Sequence, residues 1–205
     1  MKGTDMHQNT IQPNDTAHYL TLFKGLRREN GVGQGDAQYI DGMLEQWHAY
    51  LDKPDTFDDA TRQDMFDRMA VGIHETLSIR DMLIVDALKP NMRSLEGFAT
   101  APHDPRNVRR MYRTLGEIFN STDERYDTHH LTHVAGCLQR MAESQQVEYQ
   151  AQPYAMAAYL EWSANRPTQA TRLARKALAI DGKLTLAAII LSAINNNVKP
   201  KRYQN

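Results

Sequence analysis

The sequence predicts an all-α fold, a compact multi-helix domain of about eight or nine helices. Three observations lead there. Apolar residues return every three or four positions along most of the chain. No stretch alternates in twos with turn chemistry between strands. Caps and breakers punctuate the chain at helix-length intervals.

Asp15 is placed to cap a first helix running to Asn30, with Leu20, Phe23 and Leu26 on one side and Gly31 ending it. Gly31-Val32-Gly33-Gln34-Gly35 lacks the Lys-Ser/Thr of a phosphate loop and reads as a helix stop and flexible turn. Asp36 then caps a second helix carrying Ile40, Met43, Leu44, Trp47 and Leu51, the clearest amphipathic stripe, which Pro54 stops. The acidic stretch Asp55–Asp67 leads into a helix burying Met65, Phe66, Met69 and Ile73. Ser78 and Asp81 have the spacing of a capping box for a helix through Leu88, closed by Pro90.

Residues 90–103 read as irregular. Asp104-Pro105 is a strong helix start, followed by Val108, Met111, Tyr112, Leu115, Ile118 and Phe119 on one face. After Ser121-Thr122-Asp123 another helix spans about Tyr126 to Ser144, with Leu131, Val134, Leu138 and Met141 inward. Three short helices complete the chain, Tyr154–Asn165 after Pro153, Thr168–Ile180 and Leu184–Asn195.

Composition narrows the class. Of 205 residues 41% are hydrophobic and 24% charged, with 11 Gly and 8 Pro, which excludes a collagen-like or mainly disordered chain. Lys and Arg number 24 against 25 Asp and Glu, so net charge is no argument for nucleic acid or membrane. The lone Cys137 excludes an internal disulfide and a multi-cysteine zinc site. The longest apolar run, Leu186–Leu191, is far short of the roughly 20 residues that span a bilayer. Met1–Asn14 is polar and has no signal-peptide core. The expectation is a cytoplasmic protein with a disordered segment 1–14 and one helical domain over 15–205, with a sub-boundary near 147–153.

Residues Pro153–Pro200 read PYAMAAYLEWSANRPTQATRLARKALAIDGKLTLAAIILSAINNNVKP: an alanine-rich helix, a tight turn, a helix ending in KALAID, and a last helix before a proline. This resembles the C-terminal half of the actinobacterial domain-of-unknown-function family 4192. Leu77–Leu83 looks like that family's Arg-Asp helix start, and the resemblance covers residues 70–202. Asn165-Arg166-Pro167 stands where the family usually has glycine. The resemblance implies a helical domain and no activity, because the family has none established. The same segment is similar to a single tetratricopeptide unit, with Ala170, Ala177 and Leu178 in its packing positions. No second copy recurs at a fixed period, and such arrays need about three.

Two clusters could carry chemistry. His129, His133 and Cys137 share one helix face at four-residue steps, and Asp127 or Glu124 could complete a metal site. Against this, no ligand set of known spacing is complete, and a lone cysteine is ordinarily a small core residue. The second cluster is Arg106, Arg109, Arg110 and Arg113, cations in the first half of a helix where the dipole favours anions. That placement adds weight to an anionic partner, while internal pairing with Asp104, Glu117 or the acidic run Asp55–Asp67, or a solvated face, is the stronger reading. Arg172 and Arg175 add basic character, but no aromatics alternate with them as a base-stacking platform would need. P-loop, nucleophile-elbow and dinucleotide motifs are missing.

The sequence therefore predicts a non-enzymatic helical protein-binding module without cofactor, whose candidate contact residues are Arg106, Arg109, Arg110, Arg113, Arg172 and Arg175. Two alternatives stand beside it. One is a metal-dependent hydrolase using His129, His133 and Asp127. The other is an anion- or nucleic-acid-binding protein using the Arg106–Arg113 stripe.

Overall fold

A computed structural model describes residues 15–90, 92, 95–122 and 127–204 of the chain. The segment expected to be disordered, 1–14, lies outside the described residues, as do Glu124 and Tyr126. Among the described residues are eleven α-helices, two single-turn 3-10 helices and no strand, so the fold is all-α.

Helices α1 (Thr16–Asn30) and α2 (Val32–Ile40) form a tight pair. Here the glycine-rich link is helix and not flexible turn. Gly31 alone turns the chain, at φ 77°, and its N–H donates to the Arg27 carbonyl. A Cβ at Gly35 would stand 2.7 Å from the Arg27 backbone nitrogen, and one at Gly33 would stand 2.8 Å from the Thr100 carbonyl oxygen. These glycines serve close backbone approach. Asp36, expected as a cap, is buried within α2, where its carboxylate accepts from Arg27 (Nη2–Oδ2 2.8 Å).

The second expected helix is broken at Asp41-Gly42, with Gly42 at φ 68°, and resumes as α3 (Met43–Asp52). Of the expected stripe Ile40, Met43, Leu44 and Trp47 are buried and Leu51 is half-buried, while Tyr50, outside that stripe, is buried too. Helix α4 (Asp59–Glu75) starts on Asp58, whose carboxylate accepts from the Thr61 N–H at 2.7 Å. Helix α5 (Leu77–Leu88) has no side-chain cap, so the Ser78–Asp81 capping box is not formed. Ser78 Oγ instead donates to the Ala99 carbonyl, and Asp81 pairs with Arg80. Ala99 belongs to α6 (Glu96–Thr100), one short helix in the segment expected to be irregular.

Helix α7 (Pro105–Asn120) begins as expected, with Asp104 accepting from the Arg106 N–H at 2.7 Å and Pro105 first in the helix. Helix α8 (Thr128–Ser144) is capped by Asp127, which accepts from the His130 N–H at 3.0 Å. Helix α9 (Val147–Ser163) does not start at Pro153 but runs through it. A proline there costs one backbone hydrogen bond. Packing outweighs that cost, because α9 lies against α4, α5, α8, α10 (Pro167–Ile180) and α11 (Thr185–Asn195). Between α9 and α10, Asn165 takes the left-handed conformation at φ 59° that a short polar side chain tolerates.

The core is aromatic and methionine-rich around α3 and α4. Tyr50 meets Phe66 edge-on at 5.3 Å and stacks on Trp47 at 5.8 Å, while Phe23 meets Tyr39 edge-on at 4.9 Å. Met43, Met65, Met69 and Met82 fill the irregular gaps between these rings. Around α9 the core narrows to small residues, with Ala155, Ala157, Ala158, Ala170, Ala174 and Ala177 all fully buried. Small side chains let the α9 and α10 axes approach closely.

Candidate functional site

The arginine stripe lies on α7 with Arg106, Arg109 and Arg113 exposed. Arg106 turns back on the cap: its guanidinium beside Asp104, reinforced by the backbone N–H, holds that carboxyl down at about 2. Arg113 reaches Glu117 one turn on, at 3.7 Å. Arg110 is half-buried, with its guanidinium over the Phe98 ring at 5.2 Å. The stripe is thus partly committed to its own helix and to α6.

The histidine cluster divides. His129 is exposed, and Asp127 is used as the α8 cap. The His133 ring Nε2 lies 2.9 Å from the Leu51 carbonyl and 3.8 Å from the Cys137 sulfur. Cys137 is fully buried, and burial pushes its thiol pKa up, against the pull of Arg140. Among the described residues no three His, Cys, Asp or Glu side chains come together to hold a metal ion.

An unpredicted pair stands beside this cluster. His48 on α3 hydrogen-bonds through Nε2 to Asp86 Oδ2 of α5 at 2.8 Å. The Asp86 side chain is 4% exposed, and burial raises its carboxyl pKa, a rise that the His48 hydrogen bond opposes. Its other oxygen, Oδ1, is buried with no hydrogen-bond partner among the described residues. His48, His130 and His133 line one small cleft of about 320 Å³ with Pro90. The sequence carried a signal for this pair. Asp86 is the one charge in the apolar run Met82-Leu83-Ile84-Val85-Asp86-Ala87-Leu88, and a charge there must be paired or neutralised. Its partner, 38 positions away on another helix, has no sequence signature.

The C-terminal cations are arranged differently. Helices α8 to α11 follow one another through short turns, each packed on the one before. Along α10 runs an open groove of about 710 Å³, where Thr168, Arg172, Arg175 and Lys176 stand over Ala179 and Ile194. None of the described residues lining it is acidic. Arg172 is steadied by Gln139 of α8 at 3.0 Å, and Lys176 by Glu143 at 3.6 Å and by the Tyr154 ring at 5.0 Å. Arg175 points to solvent. Lys176, one of the C-terminal basic residues but not among the candidate contact residues read from the sequence, lines the same groove. Elsewhere on α11, Ile189 is 59% exposed.

No helix is long and apolar enough to cross a membrane among the described residues. Comparison with protein-family models, with curated sequences and with solved structures finds no match for this chain.

Proposed function

We propose that the chain is a helical protein-interaction module, without enzymatic activity, that takes an acidic amphipathic segment of a partner along α10 and α11. The observation that carries this reading is the groove itself: three cations over a small, apolar floor, with no carboxylate among the described lining residues and Glu143 paired to Lys176 at its edge. Helix-in-groove recognition uses apolar anchors for affinity and flanking charge for register and on-rate. The similarity of residues 153–200 to a single tetratricopeptide unit points the same way, because hairpins of that kind commonly receive a partner's peptide or helix.

The test uses a labelled amphipathic helical peptide with leucines on one face and glutamates on the other. Saturable binding that weakens with salt and is lost in Arg172→Glu/Arg175→Glu, at unchanged melting temperature, is the expected result. A lysine-faced peptide binding equally well, or a charge-reversed variant that still binds the glutamate peptide, overturns the proposal.

A further inference from the structure

A second hollow lies on the opposite side of α7, between that helix and the start of α5, roofed by α6. It encloses about 610 Å³, within the range of small-molecule sites. Its walls are apolar and partly aromatic: Phe98 from α6, Met111, Tyr112 and Leu115 from α7, and Leu77 from α5. Leu77 is 51% exposed and Tyr112 is 75% exposed, and both stand at its rim. Most large apolar side chains among the described residues are covered. Two that are not therefore face one concave site.

The hollow is held in shape by hydrogen bonds between its three helices. Asn107 of α7 donates through Nδ2 to the Gly97 and Ala101 carbonyls at 2.9 and 3.0 Å. Ser78 of α5 donates to the Ala99 carbonyl at 3.1 Å and lies 3.0 Å from the Thr76 hydroxyl. The loose carbonyls of short α6 are thus satisfied by side chains from both neighbours, which fixes the walls before any ligand arrives.

The lining carries two carboxylates, from Glu75 and Asp81; its one basic side chain among the described residues is the His103 imidazole, and there is no Lys or Arg. Asp81 is already held by Arg80 at 2.7 Å. Among the described residues Glu75 has only the exposed His74 ring, at 4.0 Å. An aromatic and thioether wall beside an uncommitted carboxylate is the chemistry that recognises an organic ammonium ion, through an ion pair at the head and burial of the body.

We infer that the α5–α6–α7 hollow is a binding site for a small organic amine with an apolar body, its ammonium paired with Glu75 and its body against Phe98, Met111 and Leu115. The experiment titrates the full chain with 2-phenylethylamine, with neutral 2-phenylethanol and with anionic 3-phenylpropionate, followed by the methyl resonances of Met111 and Leu115. Saturable shifts with the amine are expected, about fivefold tighter than with the alcohol and tighter still than with the acid. Glu75→Gln should bring the amine down to the alcohol's affinity, whereas Asp81→Asn should leave it unchanged. Val108→Trp, which fills the hollow, should abolish the shifts, with circular dichroism reporting whether that variant folds. Glu75→Gln alone decides the matter if it does not. Unsaturable shifts, an acid that binds as well as the amine, or a Glu75→Gln variant with the amine's affinity intact would each overturn the inference.

Discussion

Three buried aspartates show how differently one residue type can be accommodated. Asp36 is matched by Arg27. Asp67 accepts from the Asp15 N–H at 2.7 Å and from the side-chain amides of Gln63 and Gln145 at 2.7 and 2.9 Å, and so ties α1, α4 and the α8–α9 turn together. Asp86 has His48 and one orphaned oxygen. Because burial raises the Asp86 pKa, the folded chain keeps a proton that the unfolded chain has released above about pH 4, the ordinary carboxyl value. The unfolded state then binds fewer protons, and stability falls as pH rises through that window. Asp86→Asn removes this dependence, so urea melts should show the variant gaining on the parent from about pH 4 upward. His48→Ala strips the carboxyl of its one partner and should cost about 1–3 kcal/mol at neutral pH. Equal pH profiles for parent and Asp86→Asn would show that Asp86 titrates as an ordinary exposed carboxyl.

At the scale of elements, glycine spacing misleads unless its neighbours are known. Gly33 and Gly35 looked like loop glycines, yet both lie in α2 where a Cβ would strike backbone atoms of another helix. Gly35→Ala should therefore cost roughly 1–3 kcal/mol by forcing α1 and α2 apart. Gly25 and Gly116, inside helices with open space at the Cβ position, should each gain up to about 1 kcal/mol on the same change. Thermal melts of the three alanine variants check both signs together. The seam between α9 and α10 follows the same steric logic. Ala177 is fully buried there, and Ala177→Leu should cost roughly 1–3 kcal/mol; a silent substitution would mean the seam is loose.

What the sequence disclosed follows from the range of the interactions concerned. Helix ends set by local chemistry, such as Asp104-Pro105 and Gly31, stand where the residues place them, as do the inward faces Leu131, Val134, Leu138 and Met141. Elements decided by tertiary packing do not. Pro153 within α9, the break at Gly42 and the single turn α6 depend on neighbours far along the chain. The candidate sites divide the same way. Arg172 and Arg175 are legible as basic residues three apart on one helix, whereas the His48–Asp86 pair and the hollow around Glu75 are made by helices meeting.

The molecule as a whole is closed by its C-terminal tail. Past α11 the chain returns across α9 and α7, and the Arg202 guanidinium donates to the Ile118 carbonyl at 3.1 Å and to the Ser163 carbonyl at 2.7 Å. The Trp162 indole N–H donates to the Val198 carbonyl at 3.0 Å, and the same ring stacks on Phe119 at 6.0 Å. These contacts matter most for α7. Only Thr114 and Ile118 are buried along its length, so its own apolar contacts hold it weakly. The tail supplies a charged donor to a carbonyl in the last turn of α7. Arg202→Ala should therefore cost about 1–3 kcal/mol, and the loss should be local. Amide hydrogen exchange should accelerate along α7, while α4, α8 and α9, which share the main core, keep their protection. If exchange instead rises uniformly across every helix, α7 opens only when the whole molecule unfolds, and the tail is part of a single cooperative unit.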